Sequence, residues 1–139
     1  MCTSFKVALL NGEMDFSSDT SQSFKIALYT SDATLNAETT AYSTTNEVSG
    51  TGYTAGGNTL TIATNPTNDT SSTVAYLDFS DTTWASSSIT ARGALIYKAG
   101  GTTPAVAVLD FGSDKTTSSS TFTVTFPTSA VTSAIIRIA

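Results

Sequence analysis

Phe24-Lys25-Ile26-Ala27-Leu28-Tyr29-Thr30 sets its large apolar residues at every second position. A period of two places Phe24, Ile26 and Leu28 on one face of a β-strand and Lys25, Ala27 and Tyr29 on the other. Upstream, Ser4-Phe5-Lys6-Val7-Ala8-Leu9 echoes Ser23-Phe24-Lys25-Ile26-Ala27-Leu28. In that first copy Ser4 could cap a short helix that puts Phe5 and Leu9 one turn apart, with Asn11-Gly12 ending it. A short N-terminal helix is therefore expected there, and six residues of echo do not establish a duplication. Residues 1–20 could also form an arm that reaches another chain.

Downstream, residues 31–57 carry the turn signals Ser31-Asp32, Thr39-Thr40, Gly50-Thr51-Gly52 and Gly56-Gly57 around a short strand candidate at Glu47-Val48-Ser49. Strand-like runs follow at 59–63, 74–79, 89–97, 105–111, 121–126 and 134–138, separated by Ser, Thr, Asn, Gly and Pro clusters. Ala99-Gly100-Gly101-Thr102-Thr103-Pro104 reads as a hairpin connection, as does the polar stretch 113–120. Seven or so short antiparallel strands need a second layer to bury their apolar faces. The expected fold is an all-β, antiparallel two-sheet β-sandwich or jelly roll. At 139 residues it forms one domain, 1–139. The run 134–139 is too apolar to leave exposed and is expected to be a core strand.

Charged residues are 12% of the chain, about half the usual share, so the polar surface must be largely the hydroxyls of its many Ser and Thr residues. A net charge of -5 with six scattered Lys and Arg offers no basic footprint for phosphates, which argues against direct nucleic-acid binding. Cys2 is the only cysteine, which excludes an internal disulfide and a multi-cysteine zinc site. No stretch approaches the roughly 20 apolar residues of a membrane span, and no signal core follows Met1. Synthesis in a cytoplasm without export, and no membrane partner, are the corresponding expectations.

The chain has no histidine, which removes Ser-His-Asp and Cys-His nucleophilic systems and the usual catalytic zinc sites. Two carboxyl groups could still hydrolyse a glycoside, and the best pair is Asp78 with Asp110, each in a Leu-Asp-Phe triplet within a strand candidate. Strand alternation explains both triplets without catalysis: Leu and Phe face the core while Asp faces solvent or a cross-strand partner such as Lys98 or Arg92. Asp69, Asp78, Asp81, Asp110 and Asp114 lie near turns, but none has EF-hand spacing, so no metal is expected. Gly50-Thr51-Gly52-Tyr53-Thr54-Ala55-Gly56-Gly57 lacks the Lys-Ser or Lys-Thr of a phosphate loop and reads as a flexible or turn-rich connection. Trp84 and the tyrosines could stack on sugars, though core or interface packing accounts for them better. Arg92 and Arg137 stand inside apolar runs, where burial would demand a partner such as Asp78 or Asp110.

Five segments carry a resemblance that spans most of the chain: Phe24-Lys25-Ile26-Ala27-Leu28-Tyr29-Thr30; Glu47-Val48-Ser49-Gly50-Thr51-Gly52-Tyr53-Thr54-Ala55-Gly56-Gly57; Thr90-Ala91-Arg92-Gly93-Ala94-Leu95-Ile96-Tyr97; Val108-Leu109-Asp110-Phe111-Gly112; and Ala134-Ile135-Ile136-Arg137-Ile138-Ala139. In this order they resemble a family of small virion structural proteins of tailed bacteriophages. The resemblance implies a non-enzymatic virion component with no catalytic, cofactor or metal residues to carry over. The expected role is a capsid decoration (cement) protein on the virion surface, with the major capsid protein and copies of itself as partners. The alternatives are a tail or fibre adhesion module, binding host glycan through Trp84, Tyr42 or Tyr53, and a neck or tail adaptor.

Overall fold

A computed structural model describes residues 1–139. In chain order it has a helix, α1 (Thr3–Leu10), then β1 (Phe24–Tyr29), β2 (Asn58–Leu60), β3 (Ile62–Asn68), β4 (Ala75–Phe79), β5 (Thr82–Ser87), β6 (Thr90–Lys98), β7 (Ala105–Thr116), β8 (Ser120–Val124) and β9 (Ile136–Ile138). All pairings are antiparallel, in sheets ordered β2-β1-β6-β7, β3-β4-β9 and β5-β8. The architecture is the all-β, sandwich-like one expected, with a short N-terminal helix.

β1 and β6 are central strands, with Ile26 opposite Ile96, Ala27 opposite Leu95 and Leu28 opposite Ala94. Every residue of β1 except Lys25 is buried, so both of its faces are covered. On the Phe24 face, Phe16 stacks on Phe24 with ring centres 4.2 Å apart, and Phe79 meets both rings at 6.3 Å. On the Tyr29 face, residues from the 30–57 loop close over the sheet, with Tyr42 stacked on Tyr97 at 4.6 Å.

The run 59–63 divides at Thr61. Leu60 pairs with Phe24 in the first sheet while Ile62 already pairs with Phe79 in the second, so one short run links two layers. β7 runs beyond Phe111 to Thr116, and there Arg92 alone faces residues 111–114. Gly112 takes a left-handed φ of +76 within this bulge. β5 has no counterpart among the expected strands, because Trp84 is the only large apolar residue in Thr82-Thr83-Trp84-Ala85-Ser86-Ser87. Its partner supplies the missing half of the signal: Trp84 lies opposite Phe122 of β8, edge to face at 6.0 Å. Glu47-Val48-Ser49 contributes one isolated bridge, Tyr29 to Glu47, and no strand. The C-terminal run is also shorter than expected: β9 is an edge strand on β4, with Ile136 buried and Arg137 and Ile138 exposed.

Residues 1–20 do not form a free arm. Cys2, Phe5, Met14 and Phe16 are buried in the same cluster as the strands, and the Cys2 and Thr3 amides donate to Val106 O and Ala37 O. Ser4 does not cap α1; extended Cys2 holds that position without a side-chain bond, and Ser4 Oγ instead donates to Thr39 O. The helix ends as its Asn-Gly signal predicts: Gly12 at φ +71 donates to Leu9 O, and Glu13 donates to Ala8 O. The two copies of the hexapeptide echo are therefore one helix and one strand. Phe-Lys-aliphatic-Ala-Leu satisfies both periods, and context decides. The second copy finds strands on both sides, whereas the first is closed by a left-handed turn.

Candidate functional site

The most organised polar cluster centres on Glu47, where the chain returns to β1 from the 30–57 loop. Its carboxylate accepts from Tyr42 Oη at 2.6 Å, Tyr53 Oη at 2.7 Å and the Gly56 amide at 2.7 Å. Tyr53 Oη in turn accepts from the Leu28 amide, Tyr97 Oη donates to Gly56 O, and Tyr29 Oη donates to Ser43 O. The Gly50–57 stretch is thus turn-rich but pinned, contrary to the flexible reading. Gly57 is fixed by close approach: at φ +64, an added Cβ would lie 1.8 Å from Ile26 O.

Burial pushes the Tyr29 hydroxyl up to about 12, and the nearby Glu47 charge adds to the effect. Tyr42 and Tyr53 are pushed further up by burial first and by their bonds to Glu47 second; burial also raises Tyr97. All four stay protonated and act as donors or packing surfaces. The cluster ties three donors to one carboxylate and so clamps the loop onto β1. Sequence reasoning missed it because its members come from five separate segments; two tyrosines on either side of the acidic Glu47 within one loop were the available signal.

Asp78 and Asp110 are not brought together. Asp110 is exposed on β7, paired with Arg92 Nε at 3.3 Å and accepting from the Gly112 amide at 2.8 Å. Those contacts, the Gly112 amide first, hold its carboxyl below the usual range. Asp78 belongs to the other sheet and does not face solvent as its triplet implied. β4 is flanked by β3 and β9, and Leu77, Asp78 and Phe79 are all buried, Asp78 with 1% exposure. Its Oδ1 accepts from the Phe79 amide and its Oδ2 makes no hydrogen bond of good geometry, so burial drives its pKa up against the opposing pull of the Phe79 and Ile135 amides. Arg137 does not reach it; that side chain donates to Val131 O and Thr132 O.

Of the remaining acidic candidates, Asp114 is exposed on β7 and the other two accept from the backbone. Asp69 accepts from the Ser71 amide and hydroxyl, and Asp81 accepts from the Phe126 amide. No three Cys, Asp or Glu residues gather as a metal-ligand group. Trp84 is 4% exposed, between Tyr53 and Phe122, and the hydroxyls of Tyr42 and Tyr53 are both taken by Glu47. The three aromatics of the glycan-binding alternative therefore do not form an exposed platform.

Two of the surface grooves border elements described above. One, about 280 Å³, lies beside the Arg92–Asp110 pair and is floored by Gly93 and Val108. The other, about 380 Å³, is mainly apolar and runs between α1 and the β3-β4-β9 sheet, with Leu9, Met14, Leu77 and Ile138 among its walls. Comparison with family models, with curated proteins and with solved structures gives no match to this chain.

Proposed function

We propose that this protein is a non-enzymatic virion structural component, a capsid decoration protein that binds an assembled phage shell and braces its subunits. The observation that carries the reading is where the five resemblance segments fall. They supply β1, β6, the middle of β7, β9 and most of the Glu47 clamp, the parts that build and lock the framework. Such a distribution suits a protein whose work is to hold a shape. The sparse charge supports the same reading, since surfaces buried between subunits are depleted in Lys, Glu and Asp. A subunit that binds only the assembled lattice stabilises it by mass action, and symmetry multiplies modest contacts.

Electron cryomicroscopy of particles with and without this protein tests the reading. Added density at the local symmetry axes of the capsid is the expected result. Density confined to the neck or tail would overturn the decoration role in favour of an adaptor or adhesion module.

A further inference from the structure

The four large hydrophobic residues left exposed are Met1, Val7, Leu10 and Ile138. Val7 and Leu10 belong to α1, Met1 precedes it, and Ile138 belongs to β9; α1 and β9 both border the apolar groove. Leu10 is 89% exposed, while its neighbour Leu9 forms part of the groove wall. A helical turn of 3.6 residues places Lys6 and Leu10 on one face of α1, next round the helix from Leu9. The face thus carries a projecting apolar side chain beside an apolar recess.

Its charges have the same two-sided character. Lys6 stands on the helix and Asp15 lines the groove, its Oδ1 held by the Ser17 amide and hydroxyl; neither is in an ion pair, the only one within the chain being Arg92–Asp110. β9 has β4 on one side only, so one backbone edge of this short strand is open beside Ile138. A face bearing both projection and recess, and both signs of charge, is complementary to itself under a two-fold axis. An anionic lipid surface or nucleic acid would meet Asp15 and Glu13 near the groove, a poor match.

We propose that this face docks a second copy of the chain, the Leu10 end of α1 in each copy seating over the groove of the other, with Lys6 facing Asp15 across the contact. This names the self-contact within the function proposed above and rests on that reading only for its setting on a shell. Purified chain tests it with no shell present, so failure here and failure to decorate capsids are separate results.

Sedimentation velocity of the full chain over a concentration series is the experiment. Dimers are expected at roughly 100 µM, well above a micromolar dissociation constant. Leu10→Asp should weaken association by at least about tenfold while leaving the thermal transition of the chain in place, since Leu10 contributes little to the core. Lys6→Glu should also weaken it, whereas Lys6→Arg, which keeps the charge, should leave it in place. A wild-type monomer at that concentration, or a dimer indifferent to Leu10→Asp, overturns the proposal. Flotation with phosphatidylcholine vesicles provides the contrasting arm: a monomeric chain that floats, and loses this with Leu10→Asp, assigns the face to lipid instead.

Discussion

Glu47 is the residue on which the longest loop depends. One carboxylate gathers three donors from positions 42, 53 and 56, and the tyrosine at 53 passes the connection to the β1 backbone. Glu47→Gln keeps the shape but removes the charge and turns one acceptor into a donor aimed at groups that also donate. The expected cost is about 1–3 kcal/mol, or a fall of several degrees in melting temperature. Tyr42→Phe should cost less, since it leaves the other two donors in place. Differential scanning calorimetry of both variants measures this, and an unshifted Glu47→Gln transition would show that the clamp does not contribute to stability. The residue was visible in the sequence only as part of a weak strand candidate, because a hydrogen-bonded cluster across loops leaves no periodic trace.

At the scale of elements, legibility followed apolar content. β1, β6 and the first half of β7 were readable because Phe24-Ile26-Leu28, Ala94-Leu95-Ile96-Tyr97 and Val106-Val108 are apolar enough to reveal a strand. β5 was not, since hydroxyl residues surround a single tryptophan, and neither was the change of sheet at Thr61, which is a tertiary event inside one run. The C-terminal run was apolar enough to read as core, yet an edge strand buries only part of each residue. This yields a contrast within β9. Ile136, 2% exposed, should cost about 2–4 kcal/mol on truncation to Ala. Ile138, 45% exposed, should cost under about 1 kcal/mol. Urea unfolding of dilute chain checks the pair; equal losses would mean that β9 is packed differently from the edge strand described.

For the whole molecule, the carboxylates pull in opposite directions as the solution is acidified. Asp15, Asp69 and Asp110 have lowered pKa values, chiefly from bonds donated by the Ser17, Ser71 and Gly112 amides. Their contribution is present above the ordinary carboxylate range and is lost as pH falls through their folded values. Asp78 has the reverse sign: burial raises its folded pKa, so its contribution is present at low pH and is lost as pH rises through that value. With no histidine, the chain lacks the side chain that normally titrates between pH 5 and 8, which leaves this opposition readable. Stability should therefore rise as pH falls from neutrality through the Asp78 value, then drop when the three exposed carboxylates protonate. Asp78→Asn keeps an acceptor for the Phe79 amide while removing the buried charge, so it should raise the melting temperature at pH 7 and abolish the rise on acidification. Melting temperatures from pH 7 to pH 3 for both chains decide the matter: parallel curves would mean that burial of the Asp78 carboxyl does not govern the acid response.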